Sequence, residues 1–217
     1  MDGREYECGR MREFVVRGIL IGMKSIAKKA PVADDFSVFE ALRKKGVSVP
    51  PFATDMKDIG KVGLPAFIMS RAKGGKVTKE TVMRYADIAP AIAKASRAGA
   101  EVVVQRSVAG HELACGVMRH ERKLVPLMPV DAIPRARHES VPWHLTERQI
   151  ERIQALAVKA HKALGRATHS CVRCVVSGKD AYVTAVELSP VLSRGSLFAH
   201  SAAVVGFTLP ELEESLS

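Results

Sequence analysis

The sequence predicts a mixed α+β fold with mainly antiparallel sheets. Three observations point there. Two apolar, β-branched stretches at residues 170–176 and 181–188 meet at Ser177-Gly178-Lys179-Asp180, a short polar hairpin turn. A long amphipathic helix is written over residues 146–164. Four further apolar, β-branched stretches alternate with helical patterns upstream of it.

In chain order, a first long element is expected over residues 12–29. Asp34 and Asp35 then open a helix in which Phe36, Phe39 and Leu42 recur at helical spacing, and Gly46 supplies a left-handed stop. Strands are expected at residues 47–52, 64–69, 101–106 and 113–118, where apolar and β-branched residues concentrate. Residues 78–85 and 87–98 are read as helical. The Pro-, Arg- and His-rich segment 129–143 lacks periodicity and is read as a mobile loop. Thr146 and Gln149 have capping-box spacing at the head of the long helix, whose inner stripe is Ile150, Ile153, Leu156, Ala157, Ala160 and Leu164. No internal repeat or low-complexity segment interrupts this order.

With 217 residues the chain is long enough to bury a proper core, in one domain or two small ones. Its hydrophobic fraction of 47% and charged fraction of 26% are those of an ordinary globular protein. No apolar run approaches the length that crosses a bilayer, so no membrane span is expected. The acidic start, Asp2 to Glu7, is unlike a targeting peptide. A net charge of +10 favours anionic partners, but the charge is spread over the chain with few aromatics beside it, so composition alone does not define a nucleic-acid surface. Four scattered cysteines, Cys8, Cys115, Cys171 and Cys174, suit a reducing compartment such as cytoplasm or organelle matrix better than a disulfide framework.

Cys171-Val172-Arg173-Cys174, with His169 close by, has the look of a metal site. On a strand, though, residues three apart face opposite sides, and no second pair at finger spacing completes it. The histidines show no triad-like order, and His161 is read as lying on the solvated side of its helix.

Several short pieces recur in one order along the chain: Val47-Ser48-Val49-Pro50-Pro51, then Gly63-Leu64-Pro65-Ala66-Phe67-Ile68, then Arg71-Ala72-Lys73-Gly74-Gly75-Lys76. Val102 to Leu113 follows, then Cys171-Val172-Arg173, Glu187-Leu188-Ser189-Pro190 and Ser196-Leu197-Phe198. In content and spacing this series resembles the central and C-terminal parts of the D-alanine–D-alanine ligase family, an ATP-grasp group. The resemblance implies an ATP-grasp-like architecture of two α+β subdomains, divided here as an N-terminal extension (1–16), a small subdomain (17–105) and a C-terminal subdomain (106–217). It also implies that the chain begins about where the family's N-terminal domain ends, leaving half of the substrate pocket to be supplied from elsewhere.

Members of that family phosphorylate a carboxylate with ATP before joining it to an amine. The step needs magnesium ions, lysines and an arginine to neutralise phosphate charge. Mapped residue by residue, the resemblance puts Arg173 at the metal-binding aspartate, Cys171 at the arginine and Val191 at the turn glycine, while the metal-binding asparagine is either Ser189 or falls in an apparent two-residue deletion after it. Asp35 and Met69 stand where two phosphate-gripping lysines are expected, and Gln105 where a glutamate contacts adenine. Glu187 is retained as a single weak metal ligand, and Glu112 as the receiver of ribose hydroxyls. Lys73, Gly74 and Gly75 occupy the phosphate loop, while Arg106 and Val108 fall on the adenine- and ribose-cradling segment.

A cation at the metal position opposes a dication: at ~4 Å, an effective dielectric of 20 gives about 4 kcal/mol of repulsion per unit charge. Arg173 is therefore expected to pair with Glu187 and fill the metal site. On this reading the chain is a catalytically degenerate ATP-grasp protein, with weak ATP binding and doubtful magnesium. It would act as a binding or scaffold module with a protein or ribonucleoprotein partner. The alternatives are an active carboxylate–amine ligase completed by a separate N-terminal subunit, and a nucleic-acid-binding protein using the basic cleft.

Overall fold

A computed structural model describes residues 36–71, 77–96, 100–120, 123–132, 145–165 and 167–216. Helix α1 (Ser37–Lys44) buries Phe39 and Leu42 and ends where Gly46 turns left-handed at φ 69°. Lys159 donates to the Gly46 carbonyl at 2.5 Å, tying this turn to a helix more than a hundred residues away. The expected element at residues 12–29, the Asp34-Asp35 helix start and most of the loop at 129–143 lie outside the described residues.

The smaller sheet contains β1 (Phe52–Ala53), β2 (Ala66–Arg71), β3 (Thr78–Val82) and β4 (Glu101–Arg106) in the order β1-β4-β2-β3, every pairing antiparallel. Only Phe52 of the expected strand at 47–52 reaches the ladder, in a two-residue strand with Ala53. Pro50 and Pro51 just before it have no N–H to donate. Residues 78–82, read as helical, are instead strand β3, and α2 (Tyr85–Ser96) begins only after them. The β-branched Thr78, Thr81 and Val82 suit a pleated partner, and β2 supplies one along the whole length. Ala66, Ile68, Val82 and Val104 pack under Ile88 and Ala91 of α2; Met69 and Val103 lie on the other side, clustered with Phe36, Phe39 and Phe52.

The larger sheet has the order β6-β5-β8-β9, from β5 (His111–His120), β6 (Lys123–Pro126), β8 (His169–Ser177) and β9 (Asp180–Leu188), with β7 (Val130–Asp131) also on β5. Its pairings are antiparallel too, and the β8–β9 turn at Gly178 adopts φ 57° as a two-residue hairpin needs. Helix α3 (Glu147–Leu164) carries the expected capping box: Gln149 N–H donates to Thr146 Oγ1 at 3.3 Å and Thr146 N–H to Gln149 Oε1 at 3.0 Å. Its Ile153, Ala157 and Ala160 close over Leu113, Cys115, Val117, Val172, Cys174, Val183 and Val186.

On the opposite side, α4 (Leu197–Ala203) and α5 (Leu209–Leu216) cover Ala114, Met118 and Cys171 with Phe198, Ala202 and Leu212. Ser201 stitches α4 to the sheet by accepting from Gly116 N–H at 2.9 Å and donating to the Met128 carbonyl at 2.6 Å. Gly116 permits that approach, since a Cβ there would sit 2.7 Å from Leu127 Cδ1.

His161 is fully buried, not solvated. The α3 stripe turns it onto β8, where Nδ1 and Ser170 Oγ share a 2.7 Å hydrogen bond, and burial pushes its pKa down. His169, also buried, fits one tautomer: Nε2–H donates to the Pro190 carbonyl at 3.2 Å and Nδ1 accepts from Thr168 Oγ1 at 2.9 Å. Burial lowers its pKa as well.

Candidate functional site

Strand alternation decides which side chains share a surface. On β8, Ser170, Val172 and Cys174 point to α3, so Cys171 and Arg173 point the other way. Opposite them across the ladders lie Glu187 (paired with Cys171), Ala185 and Ala114 (both paired with Arg173), with Glu112 one alternation from Ala114. Glu112, Cys171, Arg173 and Glu187, singled out in the sequence, thus occupy one side of the larger sheet. Cys171 and Cys174 belong to separate clusters on opposite sides.

Arg173 makes its ion pair with Glu112, at 3.7 Å, and not with Glu187 as expected. The register explains the correction: Glu187 stands opposite Cys171, whereas Arg173 faces Ala185 on β9 and leans across β5. Both partners of the Arg173–Glu112 pair are nearly half exposed (47% and 45%), so water screens it. Cys171 is 2% exposed, and its thiol is pushed up to about 12, first by burial and then by the Glu187 carboxylate, with Arg173 opposing. A neutral thiol stands there at physiological pH. Glu187, Ser189 and Val191 are exposed at the end of β9, Val191 at 74%, and Ser189 takes φ 51° while donating its N–H to the His169 carbonyl at 3.0 Å.

The smaller sheet contributes from the side that carries Met69. Gln105 on β4 stands opposite Phe67 on β2, and Lys79 on β3 opposite Met69. Gln105 is 5% exposed and its Nε2 has no hydrogen-bond partner among the described residues, a buried donor that ordinarily costs stability. The Lys79 ammonium sits 3.4 Å from the centre of the Phe67 ring. Burial lowers its pKa; the Glu112 carboxylate raises it and the Arg173 guanidinium lowers it again, so this lysine looks onto the larger sheet's charged surface. Phe67, Lys79 and Gln105 thus share one side of the smaller sheet, and Glu112, Arg173 and Glu187 one side of the larger.

Arg106 is exposed and Val108 half-buried in the link between the sheets, where Arg106 N–H donates to the Pro51 carbonyl and Ser107 N–H to that of Pro65, both at 2.8 Å. Gly110 enters β5 so close to the Val176 carbonyl that a Cβ would collide with it. Lys73, Gly74 and Gly75 lie outside the described residues. Lys79 and Phe67 were not singled out in the sequence. Thr78-Lys79-Glu80-Thr81-Val82 carries no apolar/polar alternation, and reading it as helical hid Lys79.

Two antiparallel sheets covered by helices are the architecture that the resemblance to the ATP-grasp ligases implies. A family model described as "D-ala D-ala ligase C-terminus" matches residues 34–216, and the chain belongs to that family. It is 27% identical to a D-alanine–D-alanine ligase of Desulforudis audaxviator over 222 residues, covering 93% of this chain and 72% of the relative. A D-alanine–D-alanine ligase of Leptospira interrogans is 21% identical and covers all of this chain and 70% of its own length. Among solved structures, the Bacillus anthracis D-alanine–D-alanine ligase complexed with ATP superposes with a TM-score of 0.67 at 20% identity. The VanG D-Ala:D-Ser ligase of Enterococcus faecalis gives 0.69, also at 20%. Each covers 85% of this chain, which spans 65% and 60% of those two structures.

Among the described residues, the side chains around Arg173 do not fit magnesium. A hard dication wants several oxygen ligands. That side of the larger sheet offers a guanidinium, a protonated thiol, the exposed Glu187 and a Glu112 already committed to Arg173. Among the described residues no group of three or more His, Cys, Asp or Glu side chains is arranged to hold a metal ion. A nucleotide fits better, since the two sheets present an aromatic ring, a buried unpaired amide and two cations. No helix among the described residues is long and apolar enough to cross a membrane.

Proposed function

We propose that this chain is a catalytically degenerate ATP-grasp module that binds nucleotide weakly and without magnesium. It serves as a binding or scaffold unit for a protein or ribonucleoprotein partner. The observation that carries this reading is the position of Arg173 beside Cys171 on one side of the larger sheet, where the family resemblance implies an aspartate and an arginine. Phosphoryl transfer would need a bridging cation with oxygen ligands and a second fixed cation at the acceptor. Here one charge is reversed and the other replaced by a neutral thiol. Gln105 retains an amide for a base, and Glu112, though paired, retains a carboxylate for sugar hydroxyls. The +10 net charge supports a polyanionic partner.

The test is ADP release from magnesium-ATP with D-alanine and other amino acids. The reading expects no release above background. Turnover in the ordinary enzyme range of about 1 to 1000 per second contradicts it.

A further inference from the structure

A buried amide with an unused donor stands in the middle of an aromatic row. On the side of the smaller sheet that carries Met69, Phe52 of β1, Gln105 of β4 and Phe67 of β2 are in direct register, with Gln105 at the centre. Directly paired residues share a side of the sheet, with Cβ atoms roughly 4.5–5.5 Å apart. Phe52 and Gln105 are buried, so the amide is held between two rings and away from water, while Phe67 is only half-buried. Among the described residues nothing accepts from Gln105 Nε2. An apolar side chain would fill this place without that penalty, and the orphaned N–H groups call for an acceptor that arrives with a ligand.

The other polar group beside Phe67 is a donor too. Lys79 holds its ammonium 3.4 Å from the centre of the Phe67 ring, and an ammonium has three N–H bonds and no acceptor. A planar ring system laid against Phe67 therefore meets N–H groups, and it must bring lone pairs to match them. Purines divide on this point. At the 6-position adenine carries an amino group, a donor, whereas hypoxanthine and guanine carry a carbonyl, an acceptor. Where the family resemblance implies a glutamate, an acceptor-only side chain, this chain has an amide whose free half donates.

We propose that Gln105 makes this site selective for 6-oxopurine nucleotides, of the hypoxanthine or guanine type, over adenine nucleotides. The proposal rests on the nucleotide-binding reading above and narrows it to a class of base. The 6-carbonyl oxygen of the ligand accepts from Gln105 Nε2, and Phe67 supplies an apolar surface for the ring. The Lys79 ammonium favours lone pairs over N–H groups around it. An adenine amino group brought to the same place would set donor against donor and leave both unpaired.

The test is calorimetric titration of the full chain in EDTA with ATP and inosine triphosphate, whose ribose and triphosphate are identical, so that a difference in affinity reports the base. GTP, with a carbonyl at the same position, checks the class. Wild type should bind inosine triphosphate and GTP about fivefold to tenfold tighter than ATP, the worth of one matched against one mismatched hydrogen bond. Gln105→Met conserves the volume and removes the amide. It should bring the ATP and inosine triphosphate affinities within about twofold and leave the melting temperature unchanged or higher, since it removes a buried donor that has no partner.

ATP bound by wild type as tightly as inosine triphosphate, or more tightly, overturns the inference and leaves the nucleotide-binding reading standing. A preference for inosine triphosphate that persists in Gln105→Met overturns it as well, because the discrimination then lies elsewhere. A lower melting temperature in Gln105→Met with base preference unchanged assigns the amide a purely structural role, again against the inference. If none of the three nucleotides binds at millimolar concentration, the nucleotide-binding reading and this inference fail together.

Discussion

The two sides of the larger sheet are built from alternate residues of the same strands, yet they obey different constraints. Toward α3, Leu113, Cys115, Val117, Val172 and Cys174 are all at most 2% exposed, and their neighbours are other core side chains. Close packing makes every change of volume there costly. Away from α3, one end is sealed by Phe198 and Ala202, while the other carries Glu112, Arg173 and Glu187 in contact with water. A charge can be reversed at that open end with little effect on the fold. The fold can therefore outlast the chemistry it was built around: the closed side holds the structure together and the open side can be rewritten.

Substitutions on the two sides should separate accordingly. Leu113→Ala, in the closed core, should cost about 2 to 5 kcal/mol in urea unfolding. A loss below about 1 kcal/mol would mean that the α3 contact is not what stabilises the sheet. On the sealed end of the side away from α3, Gly116→Ala brings a Cβ to 2.7 Å from Leu127 Cδ1, 3.1 Å from Phe198 and 3.2 Å from Ser201 Oγ. It should cost about 1 to 3 kcal/mol by overpacking and loosen α4, visible as faster amide exchange at Gly116.

The buried histidines give a smaller, pH-dependent effect. Their folded pKa values lie below the ordinary 6.5, so the unfolded chain binds more protons, and stability present above pH 6.5 is lost as pH falls. Each histidine that stays neutral in the folded state should remove about 0.8 kcal/mol at pH 6 relative to pH 8. His161→Phe should flatten that slope. An unchanged slope in His161→Phe would remove the buried imidazole as its source. Smallest of all is Arg173→Ala, expected to cost about 0 to 1 kcal/mol because both members of its ion pair are nearly half exposed. A cost of several kcal/mol would show that the open side is as constrained as the closed one.

Much of the fold is legible in the sequence because local signals agree with the tertiary structure. The Thr146/Gln149 capping box starts α3 where its pattern begins, and the Ser177–Asp180 turn joins the two strands it was expected to join. Strand β3 is not legible, because Thr78-Lys79-Glu80-Thr81-Val82 has mixed character and only pairing with β2 makes it extended. His161 was misread because its position at the margin of the apolar stripe does not reveal Ser170 waiting on β8. On the charged side of the larger sheet, the sequence identified Cys171, Arg173, Glu187 and Glu112 but paired Arg173 with the wrong carboxylate. Hairpin connectivity suggested β9 as its partner, whereas the opposite residue there is Ala185, and β5 brings Glu112 from the other flank. Pairings between strands distant in sequence, such as β5 with β8, are what a linear reading lacks.

The proposed loss of the metal site is tested most directly by ATP affinity measured with and without magnesium. Titrating ATP into the protein in EDTA and again in excess magnesium should give dissociation constants that agree within about twofold, since neither Arg173 nor the Cys171 thiol offers an oxygen to a bridging ion. Affinity at least tenfold tighter with magnesium, worth about 1.4 kcal/mol, would contradict it and require an intact metal site.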